Sequence, residues 1–358
     1  MKGNIKHFFP GNNTSQGFFS FYNYILPQEK AKRIICLKGG PGTGKSTLIK
    51  KVGEHFNNCG FDIEYHHCSS DDSSLDALLI NNINIAILDG TSPHIVDPIN
   101  PGAVDEILNL GECLNKKELT NIKTEIINTN EKISNTFKKA YSYFYAARSI
   151  HNIWSNCNLK SLNNSKINKL IEDLNLSIFK KNRLSYLGSE RHLFVTAFTP
   201  NGIITYIDDI YKNIDNLYVL NGGPGLKKTK ILTSIYKEAI TRGYFVEVFH
   251  DPLIPKRIEH VFIPELSTAI LTSNEINKKN LPGIQIYLEN FINHNNHSIL
   301  IKEDIKNFYM LLNEGLNILK KAKILHDELE EYYNPNIDFD KLNVIEDKLI
   351  YKLKKYIK

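Results

Sequence analysis

Residues 39–46 read Gly-Gly-Pro-Gly-Thr-Gly-Lys-Ser, and residues 222–229 read Gly-Gly-Pro-Gly-Leu-Lys-Lys-Thr. Two glycine octets in one register, 183 positions apart, restrict the chain to folds in which the same strand–loop–helix unit is built twice. The spacing Gly39-x4-Gly44-Lys45-Ser46 fits the phosphate-binding loop pattern, in which glycines let backbone N–H groups close around phosphate oxygens. Its context agrees. The apolar run Arg33–Leu37 precedes it as a buried parallel strand should. Leu48, Ile49, Val52 and Phe56 follow at helical spacing. A helix N-terminus then stands behind the loop, where the backbone favours anions. The nucleotide-binding set predicted is Gly39, Gly40, Pro41, Gly42, Thr43, Gly44, Lys45, Ser46 and Thr47. Lys45 is the catalytic cation and the Ser46 hydroxyl a magnesium ligand. The run Ile85-Ala-Ile-Leu-Asp89 supplies the second expected metal ligand and catalytic carboxylate, Asp89, at the end of another buried strand. Asp89 also begins an Asp-Gly turn, and the two roles are compatible.

With Lys45 set against Lys228, the halves run without a gap for the next 44 residues. Gly60 meets Gly243, Glu64 meets Glu247, His67 meets His250, and Ala86–Leu88 meets Ala269–Leu271. Upstream, Lys6–Phe9 and Gly17–Tyr22 resemble Arg191–Phe194 and Gly202–Ile207. One repeat is expected over 1–186 and a second over 187–358. Two substitutions change the chemistry of the copy: Gly44 becomes Lys227, and Asp89 becomes Thr272. Lys228 and Thr229 survive, so the copy keeps some attraction for phosphate while losing the metal-side carboxylate.

The fold class expected is α/β: two tandem phosphate-binding-loop domains with parallel sheets, each carrying a helical hairpin. The first hairpin, about 115–182, is marked by Ile126, Ile133, Phe137, Phe144 and Trp154, then Ile167, Leu170 and Leu174 after the polar break Asn158–Asn164. The second, about 302–358, is marked by Ile305, Phe308, Leu312, Leu319 and Leu329, then Leu342, Ile345 and Leu349 beyond Asn334-Pro335. Such stripes serve core packing or a protein partner. Phe61–Tyr65 and Ile83–Leu88 read as strands, and Leu75–Leu78 as a short helix capped by the preceding Asp and Ser residues.

Hydrophobic content of 42% and charged content of 23% describe a globular chain. No stretch approaches the roughly 20 apolar residues of a membrane span, and the first residues lack the apolar core of a signal peptide. Five cysteines without a C-x-x-C pair point to reduced thiols, and hence to the cytoplasm. A net charge of +5 makes nucleic acid a weak expectation, carried only by the lysines of the last seven residues.

Secondary candidates surround the loop. His66, His67 and Cys68 invite a zinc reading, but neighbouring strand side chains face opposite ways. Asp71 or Asp72 is a candidate base for a phosphoryl acceptor. Thr91, His94 and Asp97 follow Asp89 and are candidates for sensing phosphate or orienting water. Phe18, Phe19 or Tyr22 could stack on a base. Lys227, Lys228 or Arg257 could act in trans on the first site if the halves pack face to face.

The stretches Met1–Gly11, Leu37–Ser46, His67–Ser70, Leu88–His94 and Asp97–Glu106 resemble a family of tandem P-loop ATPases of low-GC bacteria. That resemblance, dense in the first half and thin in the second, implies ATP binding and hydrolysis at Lys45, Ser46 and Asp89. Members often carry a well-formed second loop, from which this chain departs at Lys227 and Thr272. The function expected is a Mg-ATP-dependent ATPase with one active site. A nucleotide or small-molecule kinase, disfavoured by the lack of an arginine-rich lid beyond Arg148 and Arg183, is the alternative, and a nucleotide-binding scaffold with little turnover is a third reading. No guanine-reading Asn-Lys-x-Asp signature occurs.

Overall fold

Short connections decide the strand directions. A computed structural model describes residues 1–92, 95–180, 186–212, 214–292 and 298–357, the side chains of 298–300 excepted. The first half runs β1 (Ile5–Phe8), β2 (Gly11–Thr14), β3 (Gly17–Ser20), β4 (Arg33–Lys38), α1 (Lys45–Asn58), β5 (Ile63–His67), β6 (Leu75–Ile80), β7 (Ile85–Asp89), β8 (Asp105–Asn109), α2 (Lys116–Asn121), α3 (Lys123–Ser161) and α4 (Asn164–Ile178). The second runs β9 (Glu190–Leu193), β10 (Thr196–Thr199), β11 (Gly202–Thr205), α5 (Asp208–Tyr211), β12 (Asn216–Asn221), α6 (Lys228–Thr241), β13 (Val246–His250), β14 (Ile258–Ile263), β15 (Thr268–Ser273), β16 (Ile284–Tyr287), α7 (Ser298–Tyr333) and α8 (Phe339–Lys354).

The two main sheets have six strands each and matching orders, β1-β5-β6-β7-β4-β8 and β9-β13-β14-β15-β12-β16. They are mixed, which corrects the expectation of parallel sheets. β6 is antiparallel to β5 and β7, and β14 is antiparallel to β13 and β15; the other pairings are parallel. The links β5–β6 and β6–β7 are too short for the crossover that parallel neighbours need. For the same reason Leu75–Leu78 is strand, not helix. The run Leu75–Ile80 is buried throughout, and a short apolar segment carries no periodicity that separates the two states. Asp71 and Ser74 accordingly cap no helix; they shape the turn that enters β6.

The helical arms are exchanged between the halves. α4 packs through Ile167, Leu174 and Ile178 on Ile231, Leu232 and Ile235 of α6, in the second half. α8 packs through Leu342, Leu349 and Leu353 on Leu48, Ile49 and Val52 of α1, in the first half. The expected hairpin on its own half is thus replaced by a return helix that completes the partner half's core. Between these ends α3 and α7 lie side by side. Phe144 would be 2.4 Å from a Cβ at Gly315, while Trp154 meets Phe308 at 6.2 Å, so the helices run antiparallel. Their shared core takes in Ala140, Phe144, Ala147, Phe308, Leu312 and Leu319.

The sheets meet where Phe9 and Phe194 exchange backbone hydrogen bonds of 2.9 and 3.0 Å. Beside this seam Arg191, buried, donates to Glu64 of the first half (2.5 Å) and Glu247 of the second (3.2 Å). Burial opposes the Glu64 charge, yet Arg191 and His66 hold its carboxyl far below the usual range. No helix among the described residues is long and apolar enough to cross a membrane.

Candidate functional site

β4 and β7 are parallel neighbours, with Leu37 opposite Asp89, so the loop leaving β4 and the carboxylate ending β7 emerge on the same edge of the sheet. Ligand sites of open α/β sheets gather at this edge, beyond the carboxyl ends of the strands. Gly42 (φ +68°) and Gly44 (φ +78°) take left-handed conformations that glycine adopts without steric cost. α1 starts at Lys45 with no side-chain cap at Gly44, which leaves its first amides without a side-chain acceptor.

The Lys45 ammonium lies 3.7 Å from Asp89 Oδ2 and donates to the carbonyl of Gly40 at 2.8 Å. The other Asp89 oxygen accepts from the Thr91 amide (2.9 Å) and hydroxyl (2.6 Å). Thr91 therefore orients Asp89 and leaves one carboxylate oxygen toward Lys45. Ser46 Oγ accepts from the Leu75 amide at 2.9 Å, and Thr43 Oγ1 donates to the Gly40 carbonyl at 2.8 Å. Pro41 is half-buried and Thr47 is exposed on the first turn of α1. A hydroxyl and a carboxylate at the loop mouth are hard oxygen donors of the kind that suit magnesium. Lys45 beside them suits the phosphates of a nucleotide.

The loop is also touched by the arm of the other half. Added β-carbons at Gly40, Gly42 and Gly44 would meet Tyr333 (2.7 Å), Asn334 (2.5 Å) and Leu342 (2.7 Å) respectively. Lys323 of α7 approaches Asp71 at 3.4 Å. Burial works to raise the Asp71 pKa, but the Ser73 and Ser74 hydroxyls and Lys323 outweigh it and hold the carboxyl low. Such a carboxylate is a poor proton acceptor. Asp72 accepts from Asn201 at 3.0 Å, and Asp97 pairs with Lys38 at 2.9 Å, outside the Lys45–Asp89 pair. His94 and Arg183 lie outside the described residues, and Arg148 belongs to α3.

His67 and Cys68 do not form a metal cluster. His67 Nε2 instead lies 2.8 Å from His7 Nδ1, and the second half repeats the pair as His250 and His192 at 2.8 Å. Cys68 is buried with Asp76. Asp76 precedes Ala77, which faces Leu88, and so stands beside Asp89 on the next strand. Sequence reasoning passed over Asp76 because it sat inside the segment expected to be helix.

The second loop keeps the backbone and changes the ligands. Lys227 holds φ +58° at the position of Gly44, and its ammonium bonds Asn164 of α4. Lys228 is buried, donates to the Gly223 carbonyl (2.7 Å), and faces Glu275 at 3.8 Å. Glu275 lies three residues beyond Thr272, so the lost carboxylate has a substitute that alignment hides. Burial raises the Glu275 pKa, but Lys228 and His151 of α3 prevail and hold it at about 2; His151 Nε2 lies 2.5 Å from its carboxylate. Glu289 accepts from the Gly223 amide at 3.2 Å. It is the second residue of the turn after β16, where the equivalent turn after β8 has Gly111. α3 closes over this loop: Asn158 donates to the Pro224 carbonyl (2.8 Å), and a Cβ at Gly225 would stand 2.1 Å from the Ser155 carbonyl. Lys227, Lys228 and Arg257 thus belong to the second loop; Arg257 acts on Asp251, Glu275 and Lys228 there.

The sequence model of the family described as Nephrocystin 3, N-terminal, matches residues 17–88. The matched stretch runs from β3 to the residue before Asp89 and contains the first glycine loop. No curated protein and no solved structure matches the chain.

Proposed function

We propose that the first half binds Mg-ATP on the Gly39–Ser46 loop and hydrolyses it, and that the second half is its structural partner. The observation that carries this reading is the pairing of Lys45 with Asp89 across adjacent parallel strands, at the mouth of a loop with two left-handed glycines. Lys45 now rests on carbonyls of its own loop, bonds that a phosphate oxygen can replace at little net cost. In this reading Lys45 neutralises the terminal phosphates, and Ser46 and Asp89 hold the metal, with Thr91 fixing the Asp89 rotamer. Magnesium, when bound, supplies charge neutralisation for the transferring phosphoryl group.

Because Tyr333, Asn334 and Leu342 touch the glycines, occupancy of the loop and placement of the α7–α8 corner are coupled. The chain then acts as a nucleotide-dependent switch read out by its arms. Exposed Ile127, Tyr145, Ile153, Met310 and Ile324 on α3 and α7 are where a protein partner would read that state.

Phosphate release by the purified chain with Mg-ATP tests the proposal. Release without any acceptor, lost in Lys45→Ala, supports an ATPase. Strict dependence on an added metabolite would instead select a kinase, and tight binding without release a regulatory scaffold.

A further inference from the structure

A cavity of about 370 Å³ opens beside the first site, at the lower end of the range for small-molecule pockets, roughly 300–1,000 Å³. Phe18, Phe21, Tyr22 and Tyr24 form its walls, and Ser20 and Asn23 its polar rim. Ile95 and Val96 complete it, and every one of these side chains is uncharged. The cavity therefore selects against a phosphate and for a flat, uncharged group with hydrogen-bonding edges.

Three observations tie the cavity to the first site. Tyr22 is buried, its hydroxyl hydrogen-bonds Asp76, and it lies in the field of Asp89. The Val96 carbonyl accepts from Lys38 (2.9 Å), the residue that leads into Gly39, and Lys38 also binds the carbonyl of Gly90 (2.8 Å). Finally, the second half lacks three of the four aromatic walls. In the register that sets Gly17 against Gly202, Phe18, Tyr22 and Tyr24 meet Ile203, Ile207 and Asp209, while Phe21 meets Tyr206. The full aromatic set accompanies the intact loop, and the altered half keeps one ring of it.

The second half nevertheless braces this cavity. Phe21 lies 4.4 Å from the His250 ring, and Tyr24 meets His192 edge-on at 4.7 Å. Arg191 donates to the backbone carbonyls of Tyr24 (3.0 Å) and Ile25 (3.4 Å). The walls are therefore held before any ligand arrives, which lowers the ordering cost of binding.

We propose that this cavity is a binding site for an uncharged planar ring of nucleobase or nucleoside size, stacked on Phe18 or Tyr24 with the buried Tyr22 behind it. The proposal rests on the first half being the nucleotide site. The ring belongs either to the nucleotide on the glycine loop or to a separate nucleoside-like molecule.

The test uses the full chain and two half-ligands: adenosine, which has the ring without phosphate, and inorganic tripolyphosphate with Mg²⁺, which has phosphates without a ring. Adenosine is expected to bind saturably by calorimetry. Ile95→Trp, which fills the cavity from an exposed rim position, should weaken it about tenfold or more, the scale of one base–aromatic stack. Tripolyphosphate affinity in that variant should be unchanged, which also shows that it is folded. Asn23→Ala should weaken adenosine more mildly. Adenosine displaced by ATP assigns the ring to the same nucleotide; adenosine that binds alongside saturating ATP assigns it to a separate molecule. Either result supports the site. A chain that binds tripolyphosphate but none of adenosine, guanosine, cytidine or uridine overturns it, as does adenosine binding indifferent to Ile95→Trp. Loss of tripolyphosphate binding alone would sink the loop reading and leave the ring site standing.

Discussion

The two glycine loops share a backbone and differ in what fills them. At the first, Gly111 stands where the second has Glu289, Lys45 rests on exchangeable carbonyls, and the Asp89 carboxylate lies 3.7 Å from it. At the second, Glu289 takes the amide of Gly223, and Glu275 faces a buried Lys228. The copy thus carries its own anions, and His151 ties one of them, Glu275, to α3. Such a loop shape can stand without an anion when internal carboxylates supply the negative charge that an anion would bring. The left-handed Lys227 makes the same point: a non-glycine residue there costs about 1 kcal/mol, yet the conformation persists because the surroundings still require it.

The largest effect expected is on the link between the halves. Arg191→Ala leaves Glu64 and Glu247 buried without their shared cation and should cost roughly 4 kcal/mol, read as a lower denaturation midpoint. A midpoint close to that of the parent would show that the seam does not hold the first half in place.

Next comes the contrast between the two lysines. Lys45→Ala should lower phosphate release about a hundredfold or more with little loss of stability. Lys228→Ala should do the reverse, costing about 3 kcal/mol by stranding Glu275 while turnover per folded molecule is kept. Equal effects on turnover would erase the distinction between the loops.

A third expectation concerns what the halves have in common. Burial holds His67 down at about 4 and His250 at about 3, so the unfolded chain takes up protons first as the pH falls. The neutral histidines contribute their full stability above pH 6.5 and lose it progressively toward those lower values. For His250 the loss between pH 7 and pH 5 is about 2 kcal/mol. Chemical denaturation at the two pH values measures it, and His250→Gln should flatten the dependence.

The smallest effect sharpens the comparison most. Glu289→Gly, alone or with Lys227→Gly, copies the first loop into the second. Calorimetry with tripolyphosphate and Mg²⁺ should then show a second, weaker site, about tenfold or more below the first. If one site remains, the closure of α3 over Gly225, rather than Glu289, keeps anions out.

Much of the candidate site was legible because it is local. A strand, a glycine octet and a helix are contiguous in sequence, and Asp89 ends an apolar run whose length marks a buried strand. The repeat register carried over to matching sheet orders. The sequence reading of β6 fails because a short, mostly apolar segment looks alike in a buried strand and a short helix, and only the seven-residue link from β5 settles its direction. Glu275 and Glu289 were missed because one is displaced three residues from the position it replaces, and the other lies on a turn after the edge strand.

Sequence alone determined where the two loops fall, which of them keeps glycine and aspartate, and which segments form long apolar-striped helices. It did not determine what those stripes cover, because an apolar stripe specifies burial and not the surface that provides it. Tertiary structure made that choice. It crossed α4 and α8 onto opposite cores, brought Tyr333 to one loop and Ser155 to the other, and placed Arg191 between two glutamates that lie 183 residues apart in the chain.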